Sequence, residues 1–283
     1  METIQLTEYK HVRFIGDIHG NYRMLGWEIC EMKHYSDTLV VVCGDVGVGF
    51  SSPAYYATEF TKMAKKMRRL RNHIVFMRGN HDDPSWYTSP PQEFDEFEFI
   101  TIVPDYTVLQ TSAGNILCIG GARSTDKHLR RQGYDWWDGE RPTPYTDDLL
   151  NALPPISYVA THCAPSFALP CNDDRVTEHG EYDATLKEEN EKDRRMLMEL
   201  YCRLVELGHP LAAWCYGHYH KHNEMDFPYV VMTPYEMGFY PNDEKSAEGL
   251  VAEGERSVRF VGLDCMREHK VGDRHFSDWF TAV

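Results

Sequence analysis

The chain has 283 residues, of which 42% are hydrophobic and 26% charged, and its formal net charge is −15. A chain of this length can build a core that needs neither disulfides nor a structural metal, so a bound metal would serve chemistry. The negative charge argues against broad electrostatic capture of DNA or RNA, which needs a basic surface. It leaves a nuclease open, because metal cations can supply positive charge locally.

The eight cysteines form no C-x-x-C pair, and most lie in apolar runs such as TLVVVCGD around Cys43. They indicate small buried side chains in a reducing compartment. The N-terminal segment METIQLTEYKHVRFIGD lacks the basic and apolar regions of a signal peptide. No apolar run approaches the roughly 20 residues of a transmembrane helix. We therefore expect a cytoplasmic protein that does not bind membranes.

Strand and helix patterns alternate along the first part of the chain. Apolar runs predict strands at 12–15, 38–43 and 74–77, and helical spacing predicts helices at 21–33 and 53–71. This alternation predicts a parallel sheet. Each predicted strand ends in glycine followed by a polar residue. Because parallel strands deliver their carboxyl ends to one edge, where α/β proteins bind ligands, these polar residues should meet there.

The remainder of the chain is less regular. We predict a hairpin and four further strands, at 108–120, 156–161, 211–216, 229–232 and 258–263, and a long helix at 186–207. Segment 121–144 should be a polar, tryptophan-rich loop with one short helix, 172–192 a charged mobile insertion, and 241–256 an acidic loop. Candidate site residues recur from position 17 to position 220, which predicts a single domain over residues 1–283.

Five short clusters place metal-binding residue types directly after an apolar run. They are Gly16-Asp17-Ile18-His19-Gly20, Gly44-Asp45-Val46-Gly47, Gly79-Asn80-His81-Asp82, Thr161-His162-Cys163-Ala164-Pro165 and Gly217-His218-Tyr219-His220. Carboxylates and imidazoles together suit divalent transition metals. Each cluster alone is weak evidence, since a lone Gly-Asp is usually a turn. Five of them in this order predict one composite metal site.

The order D-x-H, G-D, G-N-H-D, H, G-H-x-H over residues 16–220 resembles the calcineurin-like metallophosphoesterase superfamily. The segment IGGARS at 119–124, with the later Trp136-Trp137, is also similar to bacterial and phage members. The resemblance implies a phosphoric ester hydrolase with a metallophosphatase-like α/β fold. That fold is a four-layer α/β/β/α sandwich, in which helices flank two mixed β-sheets.

The resemblance also implies two divalent transition-metal ions, with manganese the first choice and iron, zinc and nickel as alternatives. One ion would be held by Asp17, His19, Asp45 and His220, and the other by Asp45, Asn80, His162 and His218. Asp45 would bridge them, and a hydroxide between the ions would attack phosphorus in line. His81 would protonate the leaving oxygen. Asn80 would also contact the substrate.

The chain departs from the phosphoprotein phosphatase pattern shortly after the second cluster. Those enzymes carry an Asp that orients the acid histidine and an Arg that grips phosphate, where this chain has Val48 and Gly49. The orienting partner of His81 is therefore unassigned, with the adjacent Asp82 as one option. The departure argues against a typical serine/threonine protein phosphatase.

Other arginines and aromatic residues keep two interpretations open. We expect Arg123 to grip phosphate, because it follows a glycine-ended strand, with Arg130 and Arg131 as second choices; surface ion pairing is an equal alternative. Trp136 and Trp137 can stack on a nucleobase or anchor a loop, and we favour the anchor. A later histidine, His222, follows the last cluster, and we expect it to be solvated.

The sequence favours phosphodiesters or small phosphorylated molecules, including nucleotides, as substrates, because the Asp-Arg pair is missing. Two alternatives stay open. One is a phosphomonoesterase or protein phosphatase. The other is a metallophosphatase-fold scaffold without catalysis, against which the retention of every expected metal ligand and of His81 argues.

Overall fold

The computed structural model describes residues 1–32, 35–170, 173–229, 255–265 and 280–282. The strands in these ranges form one sheet of seven strands and one of five. They are β1 Thr3–Leu6, β2 His11–Ile15, β3 Thr38–Val42, β4 His73–Phe76, β5 Ile100–Ile102, β6 Thr107–Thr111, β7 Gly114–Ile119, β8 Tyr158–Thr161, β9 Ala213–Tyr216, β10 Asn223–Pro228, β11 Ser257–Gly262 and β12 Phe280–Ala282.

The α-helices are α1 Tyr22–Trp27, α2 Pro53–Leu70, α3 Ser85–Thr88, α4 Asp147–Asn151, α5 Asp174–His179 and α6 Leu186–Glu206. A π-helical turn, Glu28–Met32, continues α1, and short 3-10 turns occur at Gln92–Glu96 and Lys127–Leu129. The two long predicted helices therefore match α2 and α6 closely, and the predicted 21–33 helix is α1 with its π-helical continuation. None of the described helices has the length and apolar character needed to cross a membrane.

The five-stranded sheet has the order β12-β2-β3-β4-β5. Strands β2 to β5 are parallel, with His11 opposite Thr38 and Leu39 opposite His73. The predicted parallel sheet is therefore confirmed. Strand β12 pairs with β2 in the antiparallel direction, which makes the sheet mixed.

The seven-stranded sheet has the order β1-β6-β7-β8-β9-β11-β10. The predicted hairpin is the antiparallel pair β6/β7, and β7, β8, β9 and β11 run parallel. The strand at the edge of this sheet is β10, which is antiparallel to β11. The sequence predicts a strand at 229–232 instead. Tyr229 follows the end of β10, and 230–232 lie outside the described residues, as do residues 241–254 of the predicted acidic loop.

Alternating strand side chains build the layers. In β3, Leu39 and Val41 join an apolar cluster with residues of the other sheet such as Ile116, whereas Val40 joins one under the helices with Phe60 of α2. A third cluster lies between the seven-stranded sheet and α6. Two sheets face each other with helices outside both, so the expected α/β/β/α sandwich is confirmed. The single-domain organisation over 1–283 stays a prediction.

The segment 121–144 is a loop with one short helical turn, as predicted. In the charged segment 172–192, residues 174–179 and 186 onward are helical. A charge of this segment pairs with the neighbouring loop, since Asp183 Oδ2 accepts a 2.7 Å hydrogen bond from Arg123 Nη2. That the segment is a mobile insertion stays a prediction.

Candidate metal centre and active site

The strand edges bring the predicted ligand residues together. Asp17 and His19 follow β2, Asp45 follows β3 and Asn80 follows β4, all at the carboxyl edge of one parallel sheet. The other sheet contributes residues in the same way, with His162 after β8 and His218 and His220 after β9. All of the predicted metal ligands therefore lie around one junction between the two sheets.

The first donor group consists of Asp17, His19, Asp45 and His220, whose potential ligand atoms lie within 4.8 Å of one another. His220 Nε2 is 3.0 Å from Asp17 Oδ2 and 3.0 Å from His19 Nε2. His19 Nε2 is 3.6 Å from Asp45 Oδ2. Two imidazole nitrogens and two carboxylates converge on a space that a divalent cation could fill.

The second donor group centres on the amide oxygen of Asn80. It lies 2.9 Å from His162 Nε2 and 3.0 Å from His218 Nδ1. His162 Nε2 is also 3.1 Å from Asp45 Oδ1. Asp45 therefore directs Oδ2 toward the first group and Oδ1 toward the second.

The donor set of the second group fits a cation. His162 Nδ1 is 2.8 Å from the carbonyl oxygen of Cys43, so Nδ1 carries a proton, and Nε2 faces the oxygens of Asn80 and Asp45. Two oxygen acceptors around Nε2 call for positive charge there, which a proton on the ring or a bound cation can supply. Burial lowers the pKa of His162, but Asp45 and Asp17 together raise it to about 9. His218 Nε2 is buried and has no hydrogen-bond partner among the described residues.

Four of the predicted ligand residues have left-handed backbone conformations. The φ angles are 44° at His19, 48° at Asp45, 71° at His218 and 52° at His220. Non-glycine residues seldom adopt this region, at a cost on the order of 1 kcal/mol each. Such strain collected at one place indicates a geometry selected for the site and not for stability.

Glycines in the clusters permit a close approach that no other residue would allow. A Cβ added to Gly44 would lie 2.3 Å from the ring nitrogen Nδ1 of His162, and one added to Gly79 would lie 2.0 Å from Asp45 Oδ1. Each glycine thus makes room for a ligand side chain from a different strand. The Gly-Asp and Gly-Asn steps in the sequence have this physical reason.

Asp82 organises two of the clusters, and it does not orient His81. Its carboxylate accepts hydrogen bonds of 2.7–3.1 Å from the backbone N–H groups of Val46, Gly47, Val48 and Gly79. Burial and the nearby Asp45 raise its pKa to about 7, against the opposing effect of these amides. The carboxylate ties the loop after β3 to the loop after β4.

His81 has Arg130 as its neighbour. Arg130 Nη2 lies 2.6 Å from His81 Nε2 and 3.0 Å from Nδ1, and it also donates to Asp126 Oδ2 at 2.7 Å. The backbone N–H of His81 donates to Asp45 Oδ1 at 2.8 Å. Burial lowers the pKa of His81 to about 4; Asp45 opposes this and Arg130 adds to it. The structure therefore brings Arg130 to the predicted acid.

Arg123, unlike Arg130, has its guanidinium paired with carboxylates away from His81. It is buried, and its guanidinium contacts three carboxylates, those of Glu140 (3.3 Å), Asp183 (2.7 Å) and Glu189 (3.0 Å). Three anions already neutralise this cation, so its placement argues against the phosphate grip that its position after a strand suggested. Arg131, an exposed side chain, lies over the ring of Tyr134 at 4.1 Å.

The two tryptophans differ. Trp136 is buried and its Nε1 donates to Glu140 Oε2 at 2.7 Å, so it anchors the loop as favoured. Trp137 is half-buried and packs edge-on against Phe50 with ring centroids 5.1 Å apart. His222 is exposed and lies 3.4 Å from Glu224, in line with the solvated role expected of it.

Three residues that touch the site escaped the sequence interpretation. Ser124 Oγ accepts from Asn80 Nδ2 at 3.0 Å, which turns the amide oxygen toward the histidines. Arg175 Nη2 donates to the backbone carbonyl of His218 at 2.9 Å. Cys265 lies within 4.8 Å of the first donor group's histidines. A strand-end signal existed for Ser124, in the IGGARS segment after β7, and for Cys265, because Gly262-Leu263-Asp264-Cys265 closes β11; Arg175 had none.

The fold and the site define an α/β protein with a candidate Asp/His metal centre at its strand edges. The family model of the calcineurin-like phosphoesterases matches residues 10–222. The chain belongs to this family, and is therefore a phosphoesterase of a metal-dependent class. The superfamily expected from the sequence is confirmed, and the bacterial or phage subtype stays a prediction.

Other comparisons add little. No curated protein matches the chain. A protein serine/threonine phosphatase from Saccharomyces cerevisiae is similar at 12% identity and a TM-score of 0.35, over 93% of this chain and 71% of that one. A cold-active protein tyrosine phosphatase is similar at 14% identity and a TM-score of 0.33, over 78% and 67%. At these scores neither structure bears on the substrate.

Proposed function

We propose that the protein is a dinuclear metal-dependent phosphoester hydrolase that acts on phosphodiesters or small nucleotide-type phosphoesters. The observation that carries the proposal is the position of Asp45, whose two carboxylate oxygens face two separate donor groups. Oxygen and imidazole donors suit manganese, our first choice, as well as iron, zinc or nickel. When bound, two such ions supply an activated water molecule and neutralise charge that develops on phosphoryl oxygens.

The residues of the chain prepare the site for these ions. Ser124 fixes the amide of Asn80, and the Cys43 carbonyl fixes the tautomer of His162, so both donor atoms already point inward. Asp82 holds the loops that carry Asp45 and Asn80. Little reorganisation is then needed on binding, which is what electrostatic preorganisation requires.

Arg130 and His81 serve the substrate in this proposal. A phosphoryl oxygen takes Arg130 as its cationic partner, because an arginine fork matches phosphate geometry. His81 then donates a proton to the leaving oxygen. The low pKa of His81 in the free protein opposes that role. An entering phosphate supports it, since its negative charge raises the pKa of the imidazole.

Two features favour diesters and nucleotides over phosphoproteins. The position of the phosphatase aspartate is Val48, a fully buried core residue, and Gly49 presses against Asp83, so neither can orient an acid or grip phosphate. Next to them, exposed Phe50 packs against Trp137 of the loop that carries Arg130. Aromatic rings so placed offer a stacking surface to a nucleobase.

Metal analysis together with an ester screen tests the proposal. We expect about two ions per chain after reconstitution with manganese, iron, zinc or nickel. We further expect faster hydrolysis of the p-nitrophenyl ester of thymidine 5′-phosphate than of bis(p-nitrophenyl) phosphate, because only the former carries a base. A protein that binds no metal would refute the proposal. Equal rates would remove the nucleotide preference.

The role of His81 is tested by leaving groups. His81→Ala should keep its metal and lose about 100-fold in turnover of alkyl phosphodiesters, while p-nitrophenyl esters, whose leaving group needs no proton, lose far less. His11→Ala, an exposed histidine at the start of β2, serves as the control. An equal loss for both ester types would exclude a general acid.

A further inference from the structure

Cys265 lies beside the first donor group and outside the range that the family model matches, which ends at residue 222. Its Sγ and the ring nitrogens of His19 and His220 lie within 4.8 Å of one another. The residue is buried, with 4% of its surface exposed. His19 and His220 also belong to the group that contains Asp17 and Asp45, so the two groups overlap at these two histidines.

Strand pairing places this cysteine. Strand β11 runs parallel to β9 with Gly262 opposite Tyr216, and Leu263 N donates to Tyr216 O at 2.8 Å. Residues 263–265 therefore continue beside the segment that carries His218 and His220. On the other side, a Cβ added to Gly16 would lie 2.4 Å from the carbonyl oxygen of Asp264. The chain just before Cys265 is thus packed against the turn that carries Asp17.

A buried cysteine usually serves as a small apolar side chain, and several in this protein do. Cys43, Cys118 and Cys215 belong to the apolar cluster between the sheets. Among the described residues, Cys265 is the cysteine that groups with two histidines at metal-ligand spacing. A buried thiolate is stable only beside positive charge, so a neighbouring cation would give this position a chemical role.

We infer that Cys265 Sγ, together with His19 and His220, is a ligand of a cation bound at the first donor group. The inference rests on the proposed metal site. On binding, the thiol releases its proton to solvent and the thiolate sulfur donates to the metal. Thiolate ligation favours zinc or iron over manganese, so this position would take a softer metal than its partner position.

Cobalt(II) loading tests the inference with a readout that does not involve activity. Thiolate ligation gives an intense sulfur-to-cobalt charge-transfer band in the near ultraviolet, which oxygen and imidazole ligands do not give. We expect the band in the native chain and its loss in Cys265→Ser, with cobalt still bound. Cys202→Ser, on α6 in a different apolar cluster, is the matched control and should keep the band.

The outcomes separate this inference from the proposed function. Cobalt that binds without the band overturns the cysteine ligand and leaves the metal site intact, whereas a protein that binds no cobalt removes the proposed site itself. If Cys265→Ser does not fold, X-ray absorption on the zinc-loaded native protein decides. A sulfur neighbour at about 2.3 Å from zinc supports the ligand, and a shell of only nitrogen and oxygen refutes it.

Discussion

The strand edges and the 121–144 segment both reach the site, but different forces hold them. Asp17 and Asp45 follow strands whose register is fixed by backbone pairing in a parallel sheet. Arg130 belongs to a segment that side-chain ion pairs hold against the rest of the fold. Backbone pairing makes the strand edges tolerant of surface change, while the segment depends on a few buried charges.

Two arginines show how the segment is held. Arg78 is buried, pairs with Asp105 at 2.5 Å and donates to the carbonyl oxygens of Gly139 and Glu140. Arg123 holds the segment to α6 and the loop before it through Asp183 and Glu189. The candidate metal ligands thus follow paired strands, whereas Arg130 belongs to a segment that ion pairs attach to the sheets. Substitutions at the strand edges should therefore mainly reduce metal binding and turnover. Substitutions of the arginines that hold the 121–144 segment should mainly reduce stability.

The largest effect is expected in the strand-edge group. Asparagine has nearly the shape of aspartate and tolerates the left-handed backbone at position 45, so Asp45→Asn should fold. The substitution removes the negative charge that faces both donor groups. We expect loss of at least one metal ion per chain and a fall in kcat of about 1,000-fold or more. Elemental analysis and steady-state kinetics measure both.

Asp226→Asn is the matched control for this prediction, because Asp226 pairs with Arg259 on exposed strands of the other sheet. It should bind metal and turn over substrate as the native chain does. An Asp45→Asn protein that kept both ions and lost less than tenfold in kcat would contradict the bridging role.

In the 121–144 segment, the largest effect should be on stability. Arg123→Met removes the cation from Glu140 and Asp183, whereas Glu189 keeps its pair with Arg141, and breaking a buried ion pair in this way costs about 3 kcal/mol. Chemical denaturation measures the loss. Arg259→Met, in an exposed pair, should cost less than about 1 kcal/mol. If Arg123→Met instead kept full stability and lost phosphate binding, the original interpretation of Arg123 would stand.

The sequence predicted the strand edges because their signals are local. Apolar runs ending in glycine locate β2, β3 and β4, and parallel pairing then brings their ends together. Strand β10 was missed for the opposite reason, since charged residues such as Glu224 and Asp226 alternate along it and pair with Arg259. Its pattern is that of an edge strand with one exposed face.

The arginines could not be assigned from sequence. Arg123 pairs with Asp183, 60 positions away, and Arg130 meets His81, 49 positions away. No periodic pattern encodes such contacts, because they depend on how a loop crosses the fold. Proximity to a glycine-ended strand favoured Arg123, whereas the structure brings Arg130 to His81. The roles of both arginines and the ligand roles at the strand edges stay predictions.

Arg130→Met should lower activity more than stability, whereas Arg123→Met should mainly lower stability. We expect kcat/KM for a phosphodiester to fall by about 10- to 100-fold, because one charge-assisted contact to phosphate is lost. The free energy of unfolding should change less than in Arg123→Met, since the described residues give Arg130 one carboxylate partner, the half-exposed Asp126. Kinetics and denaturation on the two variants side by side make the test. Equal stability losses would show that both arginines are structural.

The smallest effect is expected at His73, which begins β4, at the end of that strand far from Asn80 and His81. His73 is buried, its Nε2 lies 2.8 Å from Thr101 Oγ1, and burial lowers its pKa to about 4. An unfolded histidine titrates near 6.5, so the unfolded chain takes up the proton first as pH falls. His73 therefore stabilises the fold above about pH 6.5, and that contribution is lost between about pH 6.5 and 4, by at most about 1.4 kcal/mol per pH unit.

His73→Gln keeps a polar partner for Thr101 but cannot titrate. Its unfolding free energy, measured by chemical denaturation at pH 7 and pH 5, should fall less between the two pH values than that of the native chain. His11→Gln, which replaces an exposed side chain at the start of β2, is the control and should follow the native chain. A His73→Gln curve parallel to the native one would show that the acid sensitivity of the fold comes from titratable groups other than His73.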